Sequence, residues 1–189
     1  MNSIAYQKSG FTIVELLIVI VVIGVLAGVT VIAFKGVSDR AQASKVGSAV
    51  ASFAKILELY KAQNGSYPDP GTAAPNMACI GQVTDYPAKD GFGAGECDTD
   101  TTKIAVSTQL NNALSPFASP MPNGIFPPQY WDNQYPQYGK VRGVTYRYFG
   151  PNSVNVYYSL PGTQQCPRGN TSYDTYGGIL VTDCYISFS

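Results

Sequence analysis

The sequence predicts an α+β protein: one long amino-terminal helix packed on an antiparallel sheet that forms the carboxyl-terminal part of a small head. Three observations predict it. An uncharged apolar run, Leu16 to Phe34, lies close to the start of the chain. Beyond it Val46, Val50, Phe53, Leu57 and Tyr60 recur every three or four positions, which draws one apolar stripe along a helix. The last quarter holds segments rich in β-branched and aromatic residues separated by turn residues. A helix followed by consecutive strands is the order of an α+β layout.

Met1 to Gly10 is short and polar, and reads as a leader outside the fold. The apolar run behind it is longer than the core of an ordinary signal peptide. The nearby Ala-x-Ala, Ala41-Gln42-Ala43, lies beyond Lys35, Asp39 and Arg40, a poor setting for the general signal peptidase. Phe11 to Phe34 makes roughly 36 Å of helix at ~1.5 Å per residue, enough to cross a hydrocarbon core of ~30 Å. Lys8 precedes this span while Lys35, Arg40 and Lys45 follow it, so the positive-inside rule points the amino terminus outward. The leader and the cysteines beyond the span point the other way, and the amino terminus is placed in the cytoplasm.

One carboxylate interrupts the span. A Glu such as Glu15 costs on the order of 2–4 kcal/mol in a membrane helix unless it is paired or lies near the interface. Gly24 and Gly28 form a Gly-x-x-x-Gly pair, which suits close helix approach in lipid. The same glycines are also weak points where a helix unwinds, since each costs ~1 kcal/mol relative to Ala. No proline precedes Pro68, so any bend must come from Gly24, Gly28 or Thr30.

Residues 35–63 continue the helix in amphipathic form, with Lys45, Lys55, Glu58 and Lys61 between the stripe positions. Asn64-Gly65 and then Pro68 supply the stop. The head follows as residues 64–189. Its first part, 69–128, is rich in Gly, Pro, Asp, Thr and Asn, and a long irregular stretch of this kind is functional or locally braced. Val106 to Leu114 is a short helix candidate. Pro127 to Tyr138 concentrates aromatic residues, either as a surface for adhesion or subunit contact or as a cap on the core. The sheet is expected over about 144–188. Val144 to Phe149 and Val154 to Leu160 form a hairpin across Gly150-Pro151-Asn152-Ser153, and Gly178 to Phe188 adds a strand.

All four cysteines, Cys79, Cys97, Cys166 and Cys184, lie beyond the apolar span. An even number there indicates an oxidising compartment and disulfides. Of the three possible pairings, two local loops of equal spacing, Cys79–Cys97 and Cys166–Cys184, are the simplest. No Cys-x-x-Cys is present to nucleate a zinc site, and no metal or other cofactor is expected. Asp90, Glu96, Asp98 and Asp100 offer oxygen ligands for calcium, but without an EF-hand loop the solvated acidic loop is the favoured reading.

Composition narrows the function classes. Twelve basic residues balance twelve acidic ones, which argues against a dedicated nucleic-acid binder. The basic excess lies on the helix over 35–62 and the acidic excess in the head, a pattern that suits anionic headgroups, packing against neighbouring heads, or plain solvation. There is no histidine, no Gly-x-Ser-x-Gly elbow and no phosphate-binding glycine loop, so a structural protein is expected rather than an enzyme.

Gly10-Phe11-Thr12-Ile13-Val14-Glu15 at the head of the apolar helix resembles the prepilin peptidase site of type IV pilins. The resemblance is close over about the first 35 residues, and Leu57 to Pro68 also looks like the helix exit of pilins and pseudopilins. Ser9 separates Lys8 from the glycine, where many family leaders place the basic residue directly before it. The resemblance implies the pilin fold, cleavage after Gly10, N-methylation of Phe11, and a Glu15 carboxylate that meets the amino terminus of a neighbouring subunit. It implies a homo-oligomeric helical filament, with prepilin peptidase and an inner-membrane assembly machinery as partners. The subunit is then a single-pass membrane protein before assembly and part of an extracellular pilus afterwards, with adhesion and twitching motility as associated activities. The pilus subunit is the first reading, mildly favoured because cysteines closing a loop near the carboxyl end resemble the disulfide-bounded loop of pilins. The alternatives are a pseudopilin or minor pilin of a type II secretion or DNA-uptake system and, more distantly, a membrane-anchored binding protein.

Overall fold

The computed structural model describes residues 12–88, 92–98, 104–118, 121–122, 143–176 and 179–189. The chain divides into two compact units, Met1–Arg40 and Ala41–Ser189. The expected leader, Met1 to Gly10, and the aromatic segment Pro127 to Tyr138 lie outside the described residues.

Helix α1 runs Ile13–Asn64. Its end follows from sequence: Gly65 has φ +77 and its N–H donates to the Lys61 carbonyl at 2.7 Å. A left-handed residue just past the last turn is the ordinary way to satisfy a terminal carbonyl, and glycine reaches that conformation without a Cβ penalty.

Within Ala41–Ser189, the stripe on α1 is the core face. Val46, Val50, Phe53 and Leu57 are almost wholly buried, and Tyr60 packs at the margin of the same cluster. They meet a five-stranded sheet made of β1 (Met77–Cys79), β4 (Val144–Gly150), β5 (Ser153–Pro161), β6 (Asn170–Tyr176) and β7 (Ile179–Phe188). The spatial order is β1-β4-β5-β7-β6, antiparallel throughout. Strand β5 shows the period-two logic plainly: Val154, Val156, Tyr158 and Leu160 are buried, while Asn155, Tyr157 and Ser159 are half-exposed on the other face. Phe53 meets Tyr146 edge to face, with ring centroids 6.3 Å apart. The Tyr146 hydroxyl donates to the Pro68 carbonyl at 2.7 Å, so the phenol is buried without an unmet polar group. Burial, with smaller contributions from neighbouring tyrosines and Asp69, pushes its acidity far out of the physiological range and keeps it a donor.

Expectation and structure differ in two places. Between Leu160 and Gly178 the sequence announces no strand, yet Asn170–Tyr176 is strand β6, paired with β7 from Asn170↔Tyr185 to Tyr176↔Ile179. Its Asn, Ser and Asp residues carry weak strand propensity, and as an edge strand it gains its place by pairing rather than by burial. The region 69–128 is also less irregular than its composition suggests. It holds β1, a 3-10 turn at Val83–Asp85, the pair β2 (Glu96–Asp98) and β3 (Ile104–Ala105), and helix α2 (Thr108–Leu114). Ser107 caps α2, its hydroxyl accepting from the Leu110 N–H at 3.0 Å.

A second, smaller cluster forms on the other side of β1 and β4. Cys79, Tyr86, Cys97 and Ile104 are buried together there. The pleat explains the division: Ala78, opposite Tyr146, faces α1, whereas Cys79, opposite Thr145, faces the small cluster. Thr145 is consequently buried although it points away from the main core.

Gly47 lies where α1 and the loop before β6 come close together. A Cβ at this position would lie 2.5 Å from Cβ of Pro167. Gly47→Val is therefore expected to destabilise the head by about 1–3 kcal/mol through overpacking, read as a lower urea midpoint with unchanged slope. A midpoint equal to that of the wild type would mean that the loop yields without cost.

Candidate assembly site

The amino-terminal part of α1 is apolar and uncovered. Ile13–Thr30 has a mean hydropathy of 2.9, and none of it is buried within the chain. Side chains from Ile13 to Val29 stand free on every side of the helix, as expected of a segment whose surroundings are lipid or other helices. A Cβ added at Gly24 or Gly28 would meet nothing within 4 Å. The flat strip at the Gly-x-x-x-Gly pair is thus open in the single chain. The Thr30 hydroxyl donates to the Ala27 carbonyl at 2.9 Å, the bonding by which Thr stays satisfied inside an apolar helix.

Glu15 has hydrogen-bond partners within its own first turn. Its carboxylate accepts from the Thr12 N–H at 2.8 Å and from the Thr12 hydroxyl at 2.8 Å. The Glu15 N–H donates back to the Thr12 hydroxyl oxygen at 3.2 Å. The first turn closes with the Leu16 N–H on the Thr12 carbonyl at 3.2 Å. Thr12 is therefore the N-cap of α1, and Glu15 the third helical residue of a capping box. The pattern Thr-x-x-Glu was present in the sequence as a cap signal. Treating Glu15 only as a partner for another chain passed it over.

Gly10 and Phe11 lie outside the described residues. The four cysteines are brought together in pairs, Cys79 with Cys97 and Cys166 with Cys184, both spanning 5.7 Å between Cα atoms. Neither pair is near Glu15 in sequence; both belong to the head. Of the acidic loop, Asp90 and Asp100 lie outside the described residues. Glu96 takes the Gly93 N–H on its carboxylate at 2.6 Å. Among the described residues no group of three or more ligand side chains gathers in a way that would hold a metal.

The family model described as the prokaryotic N-terminal methylation motif matches residues 6–31. The chain has the amino terminus of a type IV pilin-like protein. Among curated proteins, the chain is 38% identical over 63 residues to type II secretion system core protein G of Pectobacterium carotovorum subsp. carotovorum, covering 33% of this chain and 40% of that one. The protein of the same name from Klebsiella michiganensis is 39% identical over 62 residues, covering 33% and 44%. That of Escherichia coli strain K12 is 37% identical over 62 residues, covering 33% and 43%. Each match spans less than half of the relative's own length. No solved structure matches the chain. The α+β layout, an apolar amino-terminal helix ahead of an antiparallel sheet, is consistent with the pilin fold.

Proposed function

We propose that this protein is a non-enzymatic fibre subunit, cut by prepilin peptidase between Gly10 and Phe11, methylated on Phe11, and polymerised through α1. The fibre is a pseudopilus of a type II secretion system, in place of the extracellular pilus that the sequence first suggested. The observation that carries the polymerisation is the uncovered apolar segment Ile13–Thr30 of α1, headed by one carboxylate. The pseudopilus is favoured by relatives whose names are those of a type II secretion core protein. Before assembly the chain spans the inner membrane once, with Met1 to Gly10 in the cytoplasm and the disulfide-bearing head in the oxidising compartment. Glu15 then meets the free amino group of Phe11 on a neighbouring subunit, while Gly24 and Gly28 allow close packing or local unwinding.

Two measurements test this reading. Intact mass of the mature protein is expected to show the loss of Met1 to Gly10 and one methyl group on Phe11. A retained leader, or a cut near Ala43, contradicts it. Deletion of the gene is expected to abolish export of secreted enzymes and leave twitching motility intact. The converse result would restore the pilus reading, which the loop closed by Cys166–Cys184 near the carboxyl end supports.

A further inference from the structure

We propose that the cavity beside α2 binds an N-acetylated hexosamine, free or as one unit of a glycan chain, through its acetamido group. The site lies wholly in the head, so the inference does not depend on which fibre the subunit builds.

The cavity has a volume of about 290 Å³, at the lower end of the ~300–1,000 Å³ of small-molecule sites. One side of α2 forms part of it. Thr108, Asn111, Asn112 and Ser115 line the cavity, and their spacing places them together on one face of the helix. Leu110 and Leu114 take the opposite face and are buried in the main core. Gln82 and Val83 at the 3-10 turn add to the lining, as do Val106 and Met121. Two side-chain bonds fix α2 in place before any ligand arrives. Gln109 Nε2 donates to the Asp69 carbonyl at 3.2 Å, and Asn111 Nδ2 to the Gly81 carbonyl at 2.8 Å.

No ionisable side chain is among the described residues that line the cavity, so its ligand is neutral. Hydroxyls and amides stand beside aliphatic groups, so that ligand carries both polar and apolar parts. Asn111 narrows the class further. The Gly81 carbonyl can only accept, so the amide nitrogen faces it and Oδ1 is left as an acceptor. This oxygen is buried and has no hydrogen-bond partner among the described residues. Such an orphan is rare in a native fold and calls for a donor. Because the oxygen is buried, its donor is a group that enters the cavity, not a protein surface laid across the mouth. An acetamido group supplies one N–H for Asn111 Oδ1 and one carbonyl for the side-chain amide of Asn112 or Gln82. Its methyl suits Val83, Val106 and Met121, while the sugar hydroxyls find Thr108 and Ser115.

The full-length chain in detergent micelles, labelled with nitrogen-15, is to be titrated with N-acetylglucosamine and, separately, with glucose. Saturable shifts are expected at Val106, Asn111 and Asn112, with a Kd of about a millimolar, ordinary for a ligand of about 15 non-hydrogen atoms. Glucose lacks the acetamido group and should bind about ten-fold more weakly, the size of one or two lost hydrogen bonds. Asn112→Ala, at an exposed position, should weaken binding several-fold. Ser115→Phe, also at an exposed position, should fill the cavity and abolish binding while amide exchange in the sheet stays as in the wild type. Glucose bound as tightly as N-acetylglucosamine would overturn the proposal, as would the absence of saturable shifts at these residues. Unchanged binding by Ser115→Phe would place the sugar elsewhere and overturn it too. N-acetylglycine methylamide, a peptide unit without a sugar ring, is the last probe. If it binds more tightly than N-acetylglucosamine, the cavity takes a peptide and the sugar assignment falls.

Discussion

Glu15→Leu is expected to give a protein that inserts into the membrane at least as well as the wild type and is processed, yet forms no fibres. Among the described residues the Glu15 carboxylate is held by Thr12, through two hydrogen bonds at 2.8 Å. Those bonds satisfy part of its capacity and leave its charge unneutralised. Buried among helices of a fibre it needs a cation, and the free amino group at Phe11 of an adjacent subunit is the one the assembly would supply. Dipole charge at the helix start adds little, because it fades within the first turn. Removing one side of a buried charge pair costs ~3–5 kcal/mol, and each subunit in a polymer repeats the defect. Leucine removes the cost of placing a carboxylate in lipid, so insertion does not suffer. Glu15→Asp, one methylene shorter, should assemble poorly but measurably. Electron microscopy of sheared material, with immunoblots for the processed subunit, checks both variants. Normal fibres built of the Glu15→Leu subunit would remove Glu15 from the assembly account.

Removing the disulfides is expected to have the second largest effect, and the two should differ in kind. Each closes a loop with a sequence separation of 18, which chain-entropy arguments place near 3 kcal/mol. Cys184 belongs to the main core, and Cys166 packs against it beside Pro167, the residue that lies on Gly47. Loss of Cys166–Cys184 should therefore lower global stability by most of that amount. Some restraint survives in the loop, since the Arg168 N–H donates to the Tyr158 hydroxyl at 3.2 Å and the Cys166 N–H to the Thr171 hydroxyl at 3.2 Å. Cys79 and Cys97 belong instead to the small cluster with Tyr86 and Ile104. Four buried residues cannot hold a loop by apolar burial alone. Loss of this bridge should open β2 and β3 locally while α1 and the sheet stay protected. Hydrogen exchange on paired Cys→Ala variants separates the two cases. Equal loss of protection over the whole head in both would contradict the division into two clusters.

The fold was legible where periodicity was strong. The stripe Val46, Val50, Phe53, Leu57 fixed which face of α1 is buried, and Val154, Val156, Tyr158, Leu160 fixed which face of β5 meets it. Asn64-Gly65 announced the end of the helix because a residue free of a Cβ reaches φ +77 there without steric cost. Strand β6 was not legible. Asn170-Thr171-Ser172-Tyr173-Asp174 reads as turn composition, and only its pairing partner β7 makes it a strand. Strands β1, β2 and β3 were missed for a related reason: each is two or three residues long and depends on contacts remote in sequence. At the candidate site, the sequence was read for what Glu15 does between chains, and its bond to Thr12 within the chain went unread.

The measurement closest to the central claim is the identity of the subunit in isolated fibres. Fibres are to be prepared from cells that express the chain with prepilin peptidase and a type II secretion assembly platform. Their protein is then to be sequenced from its amino terminus and weighed intact. The account predicts fibres made of a chain whose first residue is N-methyl-Phe11. Processed protein that remains in the membrane as single chains, with no fibres under conditions where the platform assembles its own subunit, would contradict it.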